Sequence, residues 1–200
     1  MKAEEKRVLG LELPTDPRWV GLIGSNIEDI LTDHAYCEQK AASTCISIII
    51  KHPEHQEIVE KLSPVVTEEW GHFRMVIKEL NKRGLKLGLA RKDEYVNELM
   101  KTARKGVSRE ENLLDKLLIN AMIEARSCER FRLLSQSISD ISLRPFYYDL
   151  MVAEAGHYRL FLDLAETVAS KETVEKRWKE ILTAEAEIVS NLEIKGDRMH

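Results

Sequence analysis

Apolar residues recur at steps of three and four along most of this chain, and polarity nowhere alternates strictly with period two, so helices are expected throughout. The first long helix is expected over 26–51, with Leu31, His34, Glu38, Ala41, Cys45 and Ile48 on one stripe and Pro53 just beyond its end. A short helix over 54–62 should follow. Ser63 then reads as an N-cap and Pro64 as the first residue of a second long helix, which stops at Gly84. Ser108 and Glu111 form a capping box that opens a third long helix reaching about residue 136, through Leu114, Leu117, Ala121, Glu124, Cys128 and Phe131. A fourth is expected over 142–169. A fifth, over 172–193, can pack through Val174, Trp178, Ile181, Leu182 and Ile188. The segment 1–18 carries no such pattern, and the tail after Gly196 is expected to be loose.

Short connections join the first long helix to the second and the third to the fourth, so each pair should be antiparallel. Residues 84–107 form a long crossover between the pairs, with room for a short helix near 93–104. The resulting expectation is an all-α four-helix bundle of one domain, with an extra C-terminal helix packed on it. A chain of 200 residues with 44% hydrophobic and 32% charged composition can bury such a core. The longest apolar stretch, near "CISIII", is too short to span a bilayer, and "MKAEEKRVLG" holds no apolar signal segment, so a cytoplasmic protein without membrane attachment is expected. Cys37, Cys45 and Cys128 are odd in number and lack CxxC spacing, which points to free thiols rather than disulfides or a zinc ribbon.

The net charge of −4 is unevenly spread. Residues 78–109 hold ten Lys or Arg against four Asp or Glu, a surplus of +6 that leaves −10 for the remainder.

One line of sequence is written twice: "EEWGHFRM" at 68–75 and "AEAGHYRL" at 153–160 both read Glu, any, Gly, His, aromatic, Arg, long apolar. Upstream of each lies another Glu, Glu38 before Glu69 and Glu124 before Glu154, at nearly equal separations. Each half thus offers one Glu on its first helix and Glu-x-x-His on its second. Residues three apart share a helix face, so Glu69 with His72, and Glu154 with His157, can each grip one ion. Glu38 and Glu124 lie on stripes that are otherwise apolar, so all four carboxylates are expected inside the bundle. Burying even one ionised carboxylate costs several kcal/mol, and the core stripes supply no Lys or Arg to offset it. Two divalent cations would. Mixed oxygen and nitrogen ligands suit iron or manganese better than structural zinc. Gly71 and Gly156, mid-helix beside the ligands, suggest close packing there.

Other residues have blander readings. His34, one turn before Glu38, is a core or rim histidine or a support for that ligand; His52, His55 and His200 read as surface residues. Arg74 and Arg159 are salt-bridge formers or modulators of the site. Tyr36, Tyr147 and Tyr148 are packing residues or pocket lining.

The ligand set resembles that of the ferritin-like di-metal carboxylate proteins. The wording "DHAYCEQKAAS", "EEWGHFRM", "IEARSCERF" and "AEAGHYRL", from about Trp19 into the fourth helix, is similar to that of the tRNA 2-methylthio-isopentenyladenosine hydroxylases, the MiaE type. That resemblance implies an enzyme: a non-haem di-iron monooxygenase using O2 and two electrons from an external donor to hydroxylate the isopentenyl group of a modified adenosine beside the anticodon. It implies two iron ions on Glu38, Glu69, His72, Glu124, Glu154 and His157, and tRNA rather than DNA as partner. Lys82, Arg83, Lys86, Arg91, Lys92, Lys101, Arg104 and Lys105 of the basic segment are then candidates for phosphate contacts. A ferroxidase or iron-storage protein, or a manganese catalase, would use the same ligands.

Overall fold

The computed structural model describes residues 9–24 and 26–199, and all regular elements among them are helical. In chain order they are α1 (Arg18–Ile23), α2 (Ile27–Lys51), α3 (Gln56–Lys82), α4 (Glu94–Met100), α5 (Arg109–Ser137), α6 (Arg144–Val168) and α7 (Lys171–Asn191). They group into two compact units. One combines residues 18–93 with 195–199; the other combines residues 9–17 with residues 94–194.

In the first unit α2 and α3 pair as an antiparallel hairpin, burying Ile30, Leu31, Ala42, Cys45 and Ile48 from α2 and Ile58, Leu62, Val65, Val76 and Leu80 from α3. The expected break at Ser63 does not occur, and α3 runs unbroken through Pro64. A proline inside a helix removes one backbone hydrogen bond. Here Leu62 and Val65 straddle it and are both buried, so ending the helix would take an apolar stripe out of register. Ser63 directs its hydroxyl to the Val59 carbonyl one turn back instead of capping. Gly84, at φ 68°, ends the helix as its spacing predicts.

The tail is not loose. Its backbone N–H at Met199 donates to Asp33 Oδ2 at 2.8 Å, the Trp19 indole donates to the Arg198 carbonyl, and Met199 is buried. A Cβ at Gly196 would lie 2.7 Å from the Leu22 carbonyl oxygen, so glycine is needed for this approach. The sequence pattern also missed α1, a helix of six residues that buries Trp19, Val20 and Ile23.

In the second unit α5 and α6 form the other long hairpin, and α7 adds Val174, Ile181 and Glu185 to the core. The capping box at Ser108 and Glu111 is present. A 3-10 turn at Ile141–Leu143, capped by Asp140, precedes α6. Arg126 of α5 is fully buried and pairs with Glu129 and with Glu185 of α7; it also donates to the Leu13 carbonyl, tying the N-terminal segment to the unit. Tyr95 of α4 donates to the same Glu185. Cys45 and Cys128 are buried free thiols, and Cys37 is a half-buried one.

Candidate metal centre

Each hairpin places one Glu on its first helix opposite a Glu and a His three residues apart on its second. In the first, Glu38 of α2 faces Glu69 and His72 of α3. Both carboxylates are buried, and the His72 side chain is 12% exposed. His72 Nδ1 lies 3.3 Å from Glu69 Oε2 and 3.7 Å from Glu38 Oε2. In the second, Glu124 of α5 accompanies Glu154 and His157 of α6, all buried, with His157 Nδ1 3.2 Å from Glu154 Oε2. Within each triad one donor atom per residue lies within 4.8 Å of the others. The two Glu-x-x-His turns thus repeat nearly the same geometry, as the repeated line of sequence predicts.

His34 is fully buried, and its Nε2 lies 2.6 Å from Glu38 Oε1. His34 is thus a hydrogen-bonded core histidine, as its first reading has it, and the carboxylate it bonds is that of a candidate ligand. The signal was present in the sequence, since 34 and 38 are one helical turn apart. Gly71 and Gly156 do not serve close packing: a Cβ at either would meet nothing within 4 Å. Tyr147 is buried, against Phe131 and Phe146. Tyr36 donates to the Gly88 carbonyl, and Tyr148, Arg74 and Arg159 are exposed. His200 lies outside the described residues.

Burial pushes the Glu38 carboxyl up to about 8; a hydrogen bond from His72 opposes this and the neighbouring Glu69 adds to it. No lysine or arginine stands among the groups that act on Glu38 most strongly. A cluster of buried carboxylates without such a partner calls for a cation, and the oxygen and imidazole donors on hand are those that iron and manganese accept. The residues therefore fit a metal. Burial and the Glu154 carboxylate push the Cys128 thiol up to about 11, and its Sγ lies 3.4 Å from the Met151 carbonyl.

The basic segment is partly engaged with acidic side chains. Lys82 and Arg83 pair with Glu79, Arg91 with Asp29 and Asp197, Lys101 with Glu98, and Arg104 with Asp115 and Glu111. Lys86, Lys92 and Lys105 are exposed. No helix among the described residues is long and apolar enough to cross a membrane.

Comparison with known proteins adds four findings. Residues 3–200 match the model of the MiaE family, described as tRNA-(MS[2]IO[6]A)-hydroxylase. A tRNA 2-(methylsulfanyl)-N(6)-isopentenyladenosine(37) hydroxylase from Pseudomonas putida is 33% identical over 181 residues, 90% of this chain and 87% of that one. One of the same name from Salmonella typhimurium is 27% identical, with 90% of this chain and 83% of that one covered. Among solved structures, "Protein 43 with aldehyde deformylating oxygenase activity" from Synechococcus superposes with a TM-score of 0.89 at 32% identity, covering 95% of this chain and 94% of that chain. The fold class is all-α and ferritin-like.

Proposed function

The chain belongs to the MiaE family of tRNA hydroxylases, and from that premise we propose that Glu38, Glu69, His72, Glu124, Glu154 and His157 form one centre holding two iron ions. The protein is an enzyme that hydroxylates the isopentenyl side chain of 2-methylthio-isopentenyladenosine in tRNA. The observation carrying the site assignment is the duplicated triad, a buried Glu opposite Glu-x-x-His, once in each hairpin.

Four carboxylates and two neutral imidazoles balance the +4 of two ferrous ions, which removes the cost of burying the carboxylates. When bound, the irons would supply activation of O2, with two electrons drawn from an external donor. One oxygen atom enters a C–H bond of the prenyl group as hydroxyl, and the other leaves as water with two protons. The chain's own part is placement. The Glu-x-x-His turns fix one carboxylate and one imidazole on each helix face, and His34 holds the Glu38 carboxylate in orientation. Burial of the triads keeps bulk water from the reacting group. Lys82, Arg83, Lys86, Arg91, Lys92, Lys101, Arg104 and Lys105 would contact tRNA phosphates, which positions the substrate without reading its sequence. We assign the enzyme to the cytoplasm, with its substrate.

Nucleoside analysis of tRNA from cells carrying the wild-type gene, no gene, or the Glu124→Ala variant tests the reading. Hydroxylated nucleoside should be present in the first alone, and purified Glu124→Ala should hold fewer than two irons per chain. A variant with full iron and full activity would remove Glu124 from the centre.

A further inference from the structure

The turn between α2 and α3 reads Lys51-His52-Pro53-Glu54-His55, and none of its side chains serves the centre described above. His52, read from sequence as a surface residue, is only 3% exposed. Its backbone is held at both ends: His52 N–H donates to the Ile48 carbonyl at 3.0 Å, and His55 N–H to the His52 carbonyl at 3.1 Å. The His55 carbonyl in turn accepts from Val59 in the first turn of α3. Pro53 restricts φ between them. Two helix ends and a proline therefore pre-set the three Cα positions.

The side chains converge. A nitrogen of His52, a nitrogen of His55 and a carboxylate oxygen of Glu54 all lie within 4.8 Å of one another. The two rings stand 6.2 Å apart, tilted by 62°. His52 Nδ1 is 3.8 Å from Glu54 Oε1, beyond hydrogen-bond length for that pair. Ligands about 2.0–2.1 Å from a tetrahedral zinc ion are about 3.3 Å apart, so small side-chain rotations close the set.

We propose that this turn is a second metal site, taking one divalent cation of the zinc class on His52, Glu54 and His55, with its remaining position open to water. Two imidazoles and one carboxylate suit zinc, whereas the six-residue centre offers four carboxylates to two imidazoles and suits iron. All three ligands lie within four consecutive residues, so the site needs nothing outside the hairpin. Its role is to fasten the α2–α3 turn, and with it the hairpin carrying Glu38, Glu69 and His72.

The test is zinc titration of the untagged full-length protein at pH 7.5, followed by calorimetry, against His55→Gln and Glu54→Gln. At saturation the wild type should take up one zinc per chain more than His55→Gln. Glu54→Gln, altered at an exposed side chain, should bind that zinc at least tenfold more weakly with unchanged helical circular dichroism. Because the readout is a difference, zinc entering the six-residue centre cancels, and failure here leaves the hydroxylase reading untouched. Equal stoichiometry in wild type and His55→Gln, unchanged affinity in Glu54→Gln, or uptake only at millimolar zinc would each overturn the proposal. Should His55→Gln not fold, the Glu54→Gln affinity decides alone.

Discussion

His34 and Glu38 form the most closely defined contact in the candidate centre. At 2.6 Å, and with His34 wholly buried, the imidazole has little freedom to leave the carboxylate, so it fixes the orientation of the Glu38 carboxylate. Substituting leucine keeps the volume and removes the bond. His34→Leu should lower iron affinity or turnover by roughly 10- to 100-fold, checked by iron content and single-turnover product yield; full retention of both would mean that His34 only packs. Glu38 itself makes the metal-free protein sensitive to rising pH. Its carboxyl is raised from 4.5 to about 8, chiefly by burial, so between those values the folded state keeps a proton that the unfolded chain has released. Stability must then fall as pH rises through that window. Chelator-treated wild type should unfold at progressively lower denaturant from pH 5 to pH 8, and Glu38→Gln, which carries no proton to lose, should show a flatter profile. Iron should abolish the difference by supplying the missing positive charge.

Between elements, one tie in the second unit is Asp115 of α5. Its side chain is fully buried and accepts from the Arg104 backbone N–H at 2.7 Å, from the Arg104 guanidinium and, at 2.8 Å, from Arg177 of α7. Burial pushes its carboxyl up, but the hydrogen bonds from the two arginines outweigh that and hold it below 3.8. A depressed carboxylate contributes fully above its unfolded value and loses that contribution as pH falls through the folded one. Asp115→Ala should therefore cost about 3 kcal/mol at neutral pH, near the lower end for breaking a buried pair because Arg104 remains partly exposed. The gap from wild type should stay constant above about pH 4 and close in stronger acid, as urea unfolding at several pH values would show. The same elements explain what could be read beforehand. Ser108 with Glu111 is a local device spelled out within four residues, and the Glu-x-x-His turns are local as well, so both were legible. Pro64 misled because a local helix-start signal lost to an apolar stripe buried on either side of it. The Met199 tail misled because its burial comes with partners distant in sequence, such as Asp33, which periodicity does not encode.

Over the whole chain, an enzyme with net charge −4 must bind a polyanion, so attraction has to come from local surplus rather than total charge. The basic segment supplies that surplus, but Lys82, Arg83, Arg91, Lys101 and Arg104 already have carboxylate partners, which a phosphate would have to displace. Lys86, Lys92 and Lys105 are exposed and carry the larger expected share. Each phosphate neutralised steepens the dependence of log affinity on log salt by about 0.7 to 0.9. Reversing these three lysines to glutamate should accordingly make the slope for tRNA shallower by about 2 to 3, while turnover of a short isopentenyladenosine oligonucleotide changes far less. Reversing Lys171, Lys176 and Lys179, exposed on α7 outside the segment, provides the matched control and should leave the slope nearly unchanged. Equal slopes for the triple variant and the control would move the tRNA contact elsewhere. A loss of affinity at constant slope would mean that the lysines act through shape rather than charge.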